Sequence, residues 1–172
     1  MILCLGPTGA GKTLLLKRLQ GKEIVDVTSS TVPTVGTTLT NVRFGNNKEV
    51  TIREVGGAMA PIWNNYFAGV KKIIYVVDAS NLCQIAAAGI LLYTILADPT
   101  VQNAKVLLVL SKMDASYRQM RNEALLMLQL SRLQREISQV VTVVETSAVT
   151  GAGTDKVLKW IQGALPSAST SK

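Results

Sequence analysis

Apolar residues along this chain fall into short runs separated by polar, glycine-bearing joints, and the runs are of two kinds. Ile2-Leu3-Cys4-Leu5, Lys72-Ile-Ile-Tyr-Val-Val-Asp78, Lys105-Val-Leu-Leu-Val-Leu-Ser111 and Val140-Val-Thr-Val-Val-Glu145 are brief, rich in β-branched residues and apolar at successive positions. That is the signature of strands covered on both faces. Between them lie stretches with helical character: Leu14 to Leu19, about 82 to 97, 119 to 137, and 154 to 165 with Val157, Leu158, Trp160 and Ile161. The alternation predicts a doubly wound α/β fold with sites at the C-terminal ends of its strands. One region breaks the rhythm. Thr37 to Phe44 and Lys48 to Glu54 alternate with period two about Gly45-Asn46-Asn47, which predicts a β-hairpin.

Size and composition narrow the picture little. The 172 residues suffice for one domain, expected over 1–165, with a flexible Ser/Thr-rich tail at 166–172. Cys4 and Cys83 lie in apolar surroundings with no CxxC or Cys/His cluster, so neither a disulfide framework nor a zinc site is expected and a reducing, cytoplasmic setting fits. The net charge of +7 comes from scattered Lys and Arg without a basic run or interleaved aromatics, which argues against a nucleic-acid partner. The stretch 82–97 carries no charge and is apolar around nearly its whole circumference. Such a helix is either covered by neighbours or offers a patch to a partner.

The chemistry begins at residue 6. Gly6-Pro-Thr-Gly-Ala-Gly-Lys-Thr13 is a complete G-x-x-x-x-G-K-[ST] loop placed between a strand and a helix, the context in which the motif binds phosphates. The backbone N–H groups of Gly9, Ala10, Gly11, Lys12, Thr13 and Leu14 would cradle phosphate oxygens at a helix N-terminus. Lys12 would reach the β- and γ-phosphates, and the Thr13 hydroxyl would ligate Mg²⁺. Kinases, ATPases and GTPases all use this loop.

The base-reading segments favour guanine. Ser111-Lys112-Met113-Asp114 follows a buried strand and resembles the Asn-Lys-x-Asp guanine motif of small GTPases, with Ser in first place. An ionised Asp114 accepts from guanine N1–H and the exocyclic amine, whereas adenine offers an acceptor there. Lys112 would lay its stem along the base. Thr146-Ser147-Ala148, after the next strand, resembles the Ser-Ala-Lys loop whose backbone N–H meets the guanine oxygen.

The middle of the chain is similar to the Arf and Arf-like family of small GTPases. Thr31-Val-Pro-Thr34-Val-Gly36 resembles switch I, Arg53-Glu-Val-Gly-Gly-Ala-Met59 resembles switch II, and Pro61-Ile-Trp63-x-x-Tyr66-Phe67 resembles the helix that follows. The abrupt start and the Arg-Glu-x-Gly-Gly segment are similar to the divergent branch called Arf-like sixteen. The resemblance spans residues 2–165 and implies a P-loop small GTPase domain: a six-stranded, mostly parallel sheet with helices on both faces and an interswitch β-hairpin. It implies GTP or GDP with Mg²⁺ as ligands, with Thr34 as the second metal hydroxyl and Gly57 N–H on the γ-phosphate. Ordering of both segments around GTP would recruit effector proteins through switch I, interswitch and switch II.

Departures from the family pattern shape the expected function. Ala58 stands where relatives carry Gln, so no catalytic side chain is assigned and intrinsic hydrolysis should be slow or partner-dependent. Glu54 replaces Asp and would hold the metal's hydration shell through water from one methylene farther along. Ser111 replaces an Asn that bridges base loop and phosphate loop, which should weaken nucleotide affinity. Of three effector-reading aromatics, at positions matching Thr37, Arg53 and Tyr66, only Tyr66 is aromatic, and Arg53 is expected to be a solvated edge residue. Ile2 stands where N-myristoylation needs Gly and the end carries no prenylation Cys, so no intrinsic lipid anchor is expected. The expectation is a monomeric switch in membrane or ciliary trafficking, brought to membranes by partners; the alternative is a pseudo-GTPase, constitutively GTP-loaded.

Overall fold

The computed structural model describes residues 1–21, 25–26, 28–45, 47–115 and 118–163. The expected tail at 166–172, the end of the last predicted helix and Asn46 of the predicted turn lie outside the described residues. One six-stranded sheet organises the chain: β1 (Ile2–Leu5), β2 (Thr37–Phe44), β3 (Lys48–Val55), β4 (Lys72–Asp78), β5 (Lys105–Ser111) and β6 (Val141–Glu145), in the spatial order β2-β3-β1-β4-β5-β6. All neighbours are parallel except the β2–β3 hairpin. The predicted architecture is the one observed.

The helices are α1 (Lys12–Gln20), α2 (Leu82–Leu96), α3 (Arg118–Met127), α4 (Leu130–Glu136) and α5 (Thr154–Gln162). Strand periodicity assigns them to opposite faces. Ile73, Tyr75 and Val77 of β4 join the core beneath α2 and α3, whereas Ile74 and Val76 pack with Leu15, Leu16 and Leu19 of α1 and with Val157, Trp160 and Ile161 of α5. The buried Tyr75 hydroxyl donates to the Ala88 carbonyl of α2 at 2.7 Å, and burial pushes its phenol well above the ordinary range. At the other face, Lys72 donates to the last carbonyls of α5, Trp160 at 3.2 Å and Ile161 at 2.7 Å. Such a cation suits the negative end of a helix.

Two expectations are corrected. The single helix expected at 119–137 is two, because Gln129 takes a left-handed conformation, φ 49°. In an unbroken helix Leu128 and Leu133 would point about 140° apart. The interruption lets both be buried, Leu128 against α2. Cys83 is exposed rather than set in apolar surroundings, while Cys4 is buried and its thiol pushed far above the ordinary value by burial. The uncharged α2 divides its faces: Ile85, Ala88, Leu92, Ile95 and Leu96 are buried, but Ile90 and Tyr93 are exposed. No helix among the described residues is long and apolar enough to cross a membrane.

Candidate nucleotide site

β1 sits where strand connections diverge to both sides of the sheet, and the loop at its C-terminal end opens into α1. Open α/β sheets place ligands at such switch points. Gly9 and Gly11 adopt left-handed conformations, and the amides of Gly9, Gly11, Lys12, Thr13 and Leu14 find no acceptor among the described residues. Ala10 N–H is turned inward, to the Pro7 carbonyl at 3.2 Å. Lys12 is buried, and its Nζ donates to the carbonyls of Gly6 at 2.9 Å and Pro7 at 3.0 Å. Burial lowers its pKa, opposed in part by the field of Glu54. A buried ammonium held only by carbonyl dipoles, beside free amides, is built for an anion.

The segment before β2 folds over this loop. A cavity of about 90 Å³ is enclosed by Thr8, Lys12 and Thr13 below, Val32 and Thr34 above, and Glu54 and Gly57 at the side. Thr13 Oγ1 lies 3.1 Å from Thr34 Oγ1. Adjacent ligands of an octahedral Mg²⁺ at about 2.1 Å stand about 3.0 Å apart, so these two hydroxyls fit such an ion. The glycine pair closes the arrangement. A Cβ on Gly56 would fall 2.2 Å from the Thr34 carbonyl oxygen, and one on Gly57 would fall 2.2 Å from Thr8 N. Gly56 N–H donates to the Gly36 carbonyl at 2.9 Å, joining the two segments. Ala58, on the exposed side of the turn, brings no polar group.

The second half of the site is assembled by β5 and β6. Ser111 Oγ lies 2.5 Å from the Ala10 carbonyl and 3.0 Å from that of Val77. The hydroxyl thus reaches the phosphate loop, as the bridging Asn was expected to do. Asp114 is exposed, and its Oδ1 accepts from the Ser147 hydroxyl at 2.7 Å. Met113 N–H donates to the Thr146 carbonyl at 3.1 Å, fastening the loops together. Ala148 N–H has no acceptor among the described residues. Of the expected residues, Gly9, Gly11, Lys12, Thr13, Thr34 and Gly57 line the cavity at the phosphate loop, Ala10 and Leu14 belong to the same loop and helix start, and Ser111, Lys112, Asp114, Ser147 and Ala148 lie at the end of β5 and in the loops after β5 and β6.

Three contacts went unforeseen. Lys112, at φ 57°, directs its Nζ to Asp78 at 2.8 Å. Parallel pairing sets Asp78 opposite Ser111, so the register of β4 on β5 was the missing signal. Gln84, the lone amide of α2, reaches over the phosphate loop to the Thr8 carbonyl at 3.0 Å. Arg53 is half-buried, with its guanidinium 5.7 Å from the centre of the Tyr66 ring, so it is not a solvated edge residue. A cation over an aromatic face is a favourable stack.

Comparison with known proteins agrees with this geometry. The model of the ADP-ribosylation factor family matches residues 1–165. The chain belongs to the ADP-ribosylation factor family. It is 37% identical over 168 residues to human ADP-ribosylation factor-like protein 16, covering 94% of this chain and 84% of that one. It is 32% identical over 166 residues to ADP-ribosylation factor-like protein 1 of Caenorhabditis elegans, covering 95% and 88%. Its fold is similar to the solved structure of the Arl6 BBS3 small GTPase from Trypanosoma brucei with bound nucleotide analogue GppNp, with TM-score 0.79, 19% identity and 94% of each chain covered. As an Arf-family chain it has the fold of a nucleotide-binding switch.

Proposed function

We propose that residues 1–165 form a GTP-binding switch that recruits effectors in its GTP state and hydrolyses GTP very slowly by itself. The observation that carries this reading is the approach of Thr34 and Gly57 to the phosphate loop, with the Thr13 and Thr34 hydroxyls 3.1 Å apart. Lys12 and the free amides would hold the phosphates, Thr13 and Thr34 would hold Mg²⁺, and Gly57 N–H would meet the terminal phosphate. Mg²⁺, when bound, neutralises charge on the phosphate oxygens. Asp114, braced by Ser147, would read guanine, with Lys112 along its face and Ala148 N–H on its oxygen. Losing the terminal phosphate removes what Thr34 and Gly57 would bind, and both segments are then released.

Effectors would read the surface this closure displays. Val32 and Val35 are exposed in the first segment, Leu39 on β2 and Ile62 after the glycine pair, beside the Arg53–Tyr66 stack. That surface combines apolar side chains with a cation. Family membership supports a role in membrane or ciliary trafficking, with partners providing recruitment.

A hydrolytic water needs a hydrogen-bonding group to orient it, and the Ala58 methyl supplies none. The same observation favours a second reading, a pseudo-GTPase that stays loaded with GTP as an interaction module. Chromatography of nucleotide released from purified protein, followed by single-turnover hydrolysis with Mg²⁺, tests both. Guanine nucleotide with slow turnover supports the switch, and GTP that neither turns over nor exchanges supports the module. Adenine nucleotide would overturn the base assignment, and brisk turnover would overturn the argument from Ala58.

A further inference from the structure

Three oxygens converge where α1 meets the segment preceding β2. Thr13 Oγ1 lies 2.7 Å from Glu54 Oε1, Thr34 Oγ1 lies 3.2 Å from the same atom, and the two hydroxyls are 3.1 Å apart. The three edges form a nearly equilateral triangle. One face of a Mg²⁺ octahedron has edges of about 3.0 Å when the oxygens stand about 2.1 Å from the ion. Both hydroxyls are hydrogen-bonded to the carboxylate oxygen directly, with no water between, and the three oxygens have the spacing of one such face.

Chain length explains the direct contact. Glu54 is buried and fixed in the sheet, with its Cα paired to Cys4 of β1 and Thr38 of β2. With the backbone pinned on both sides, the extra methylene relative to Asp can only extend the carboxylate toward Thr13 and Thr34. An Asp there would stop about 1.5 Å short, a gap that leaves room for a bridging water.

We propose that Glu54 is a direct ligand of the metal, so that Thr13, Thr34 and Glu54 occupy one face of the octahedron. The inference rests on the nucleotide-binding reading above. Two phosphate oxygens would take further positions, and only one water would complete the shell. If Glu54 acted through water, two waters would remain.

The test counts those waters. Protein loaded with Mn²⁺ and a non-hydrolysable GTP analogue is measured by electron paramagnetic resonance in ¹⁷O-enriched water, where each bound water broadens the manganese lines. One water in the natural protein and two in Glu54→Asp are expected. Glu54→Gln should lower Mn²⁺ affinity by at least about tenfold, measured by titration with the analogue present. Two waters in the natural protein would overturn the inference while leaving guanine-nucleotide binding intact. Absence of any metal-dependent guanine-nucleotide binding would overturn both this inference and the function on which it rests. The count on the natural protein decides even if a variant fails to fold.

Discussion

The indole nitrogen of Trp63 donates a 3.1 Å hydrogen bond to the carbonyl of Gly56. Trp63 is buried and stands edge-on to Tyr75, so the bond ties the 3₁₀ helix Gly57–Tyr66 to the core. Gly56 is in turn bonded to Gly36, and the three residues form one mechanical unit. Exchange of GTP for GDP should therefore change tryptophan fluorescence through Trp63. The change should persist in Trp160→Phe and vanish in Trp63→Phe, and a signal that follows Trp160 instead would refute the coupling.

Gly57→Ala separates the two nucleotide states. The added methyl meets Thr8 N at 2.2 Å, a backbone atom that cannot move aside cheaply. Affinity for a GTP analogue should fall at least tenfold, with GDP affinity nearly unchanged, as measured by displacement of a fluorescent nucleotide. Equal losses for both would mean that Gly57 does not report the terminal phosphate.

Ala58→Gln should raise single-turnover hydrolysis by about ten- to a thousandfold, because one positioning group contributes roughly 1.4 kcal/mol per tenfold. Phosphate release measures it. A rate unchanged by the substitution would show that slow chemistry has another origin.

Ser111→Ala removes a hydroxyl whose single proton is shared between the Ala10 and Val77 carbonyls. Losing that hydrogen bond costs about 0.5–1.5 kcal/mol. Melting temperature should drop by about 2–4 °C per kcal/mol. Nucleotide should also dissociate faster, since Ala10 belongs to the phosphate loop. A variant matching the natural protein in both measurements would show that the bridge is dispensable.

The two cysteines should differ in reactivity toward a disulfide reagent. Cys83 is exposed, while Cys4 is buried with its thiol held protonated by burial. The thiolate is the reactive form. One thiol should react in the folded protein and the second only on unfolding; two fast thiols would contradict the packing of β1.

Most of this arrangement was legible because both-face burial leaves an uninterrupted apolar trace, as in Ile73 to Val77, and because the phosphate loop advertises itself by glycine spacing. The break at Gln129 left no such trace. Neither Gly nor Pro marks it, and only the packing of Leu128 against α2 requires it. The Lys112–Asp78 ion pair and the Arg53–Tyr66 stack join residues distant in sequence, so they depend on register and turn geometry that composition does not encode. Ser111 is the instructive case. Its identity predicted a weaker bridge, yet its position at the end of β5 lets a short side chain span the distance to Ala10.

Lys12 bears on what the protein is when empty. Its ammonium is buried against two carbonyls, with desolvation lowering its pKa, so folding without an anion leaves a cation poorly solvated at the centre of the molecule. A bound phosphate would relieve that penalty, and ligand at a thousand times its dissociation constant would add about 4 kcal/mol to apparent stability. The nucleotide would then serve as part of the folded core as well as its signal, and stripping it would endanger the fold before it silenced the switch.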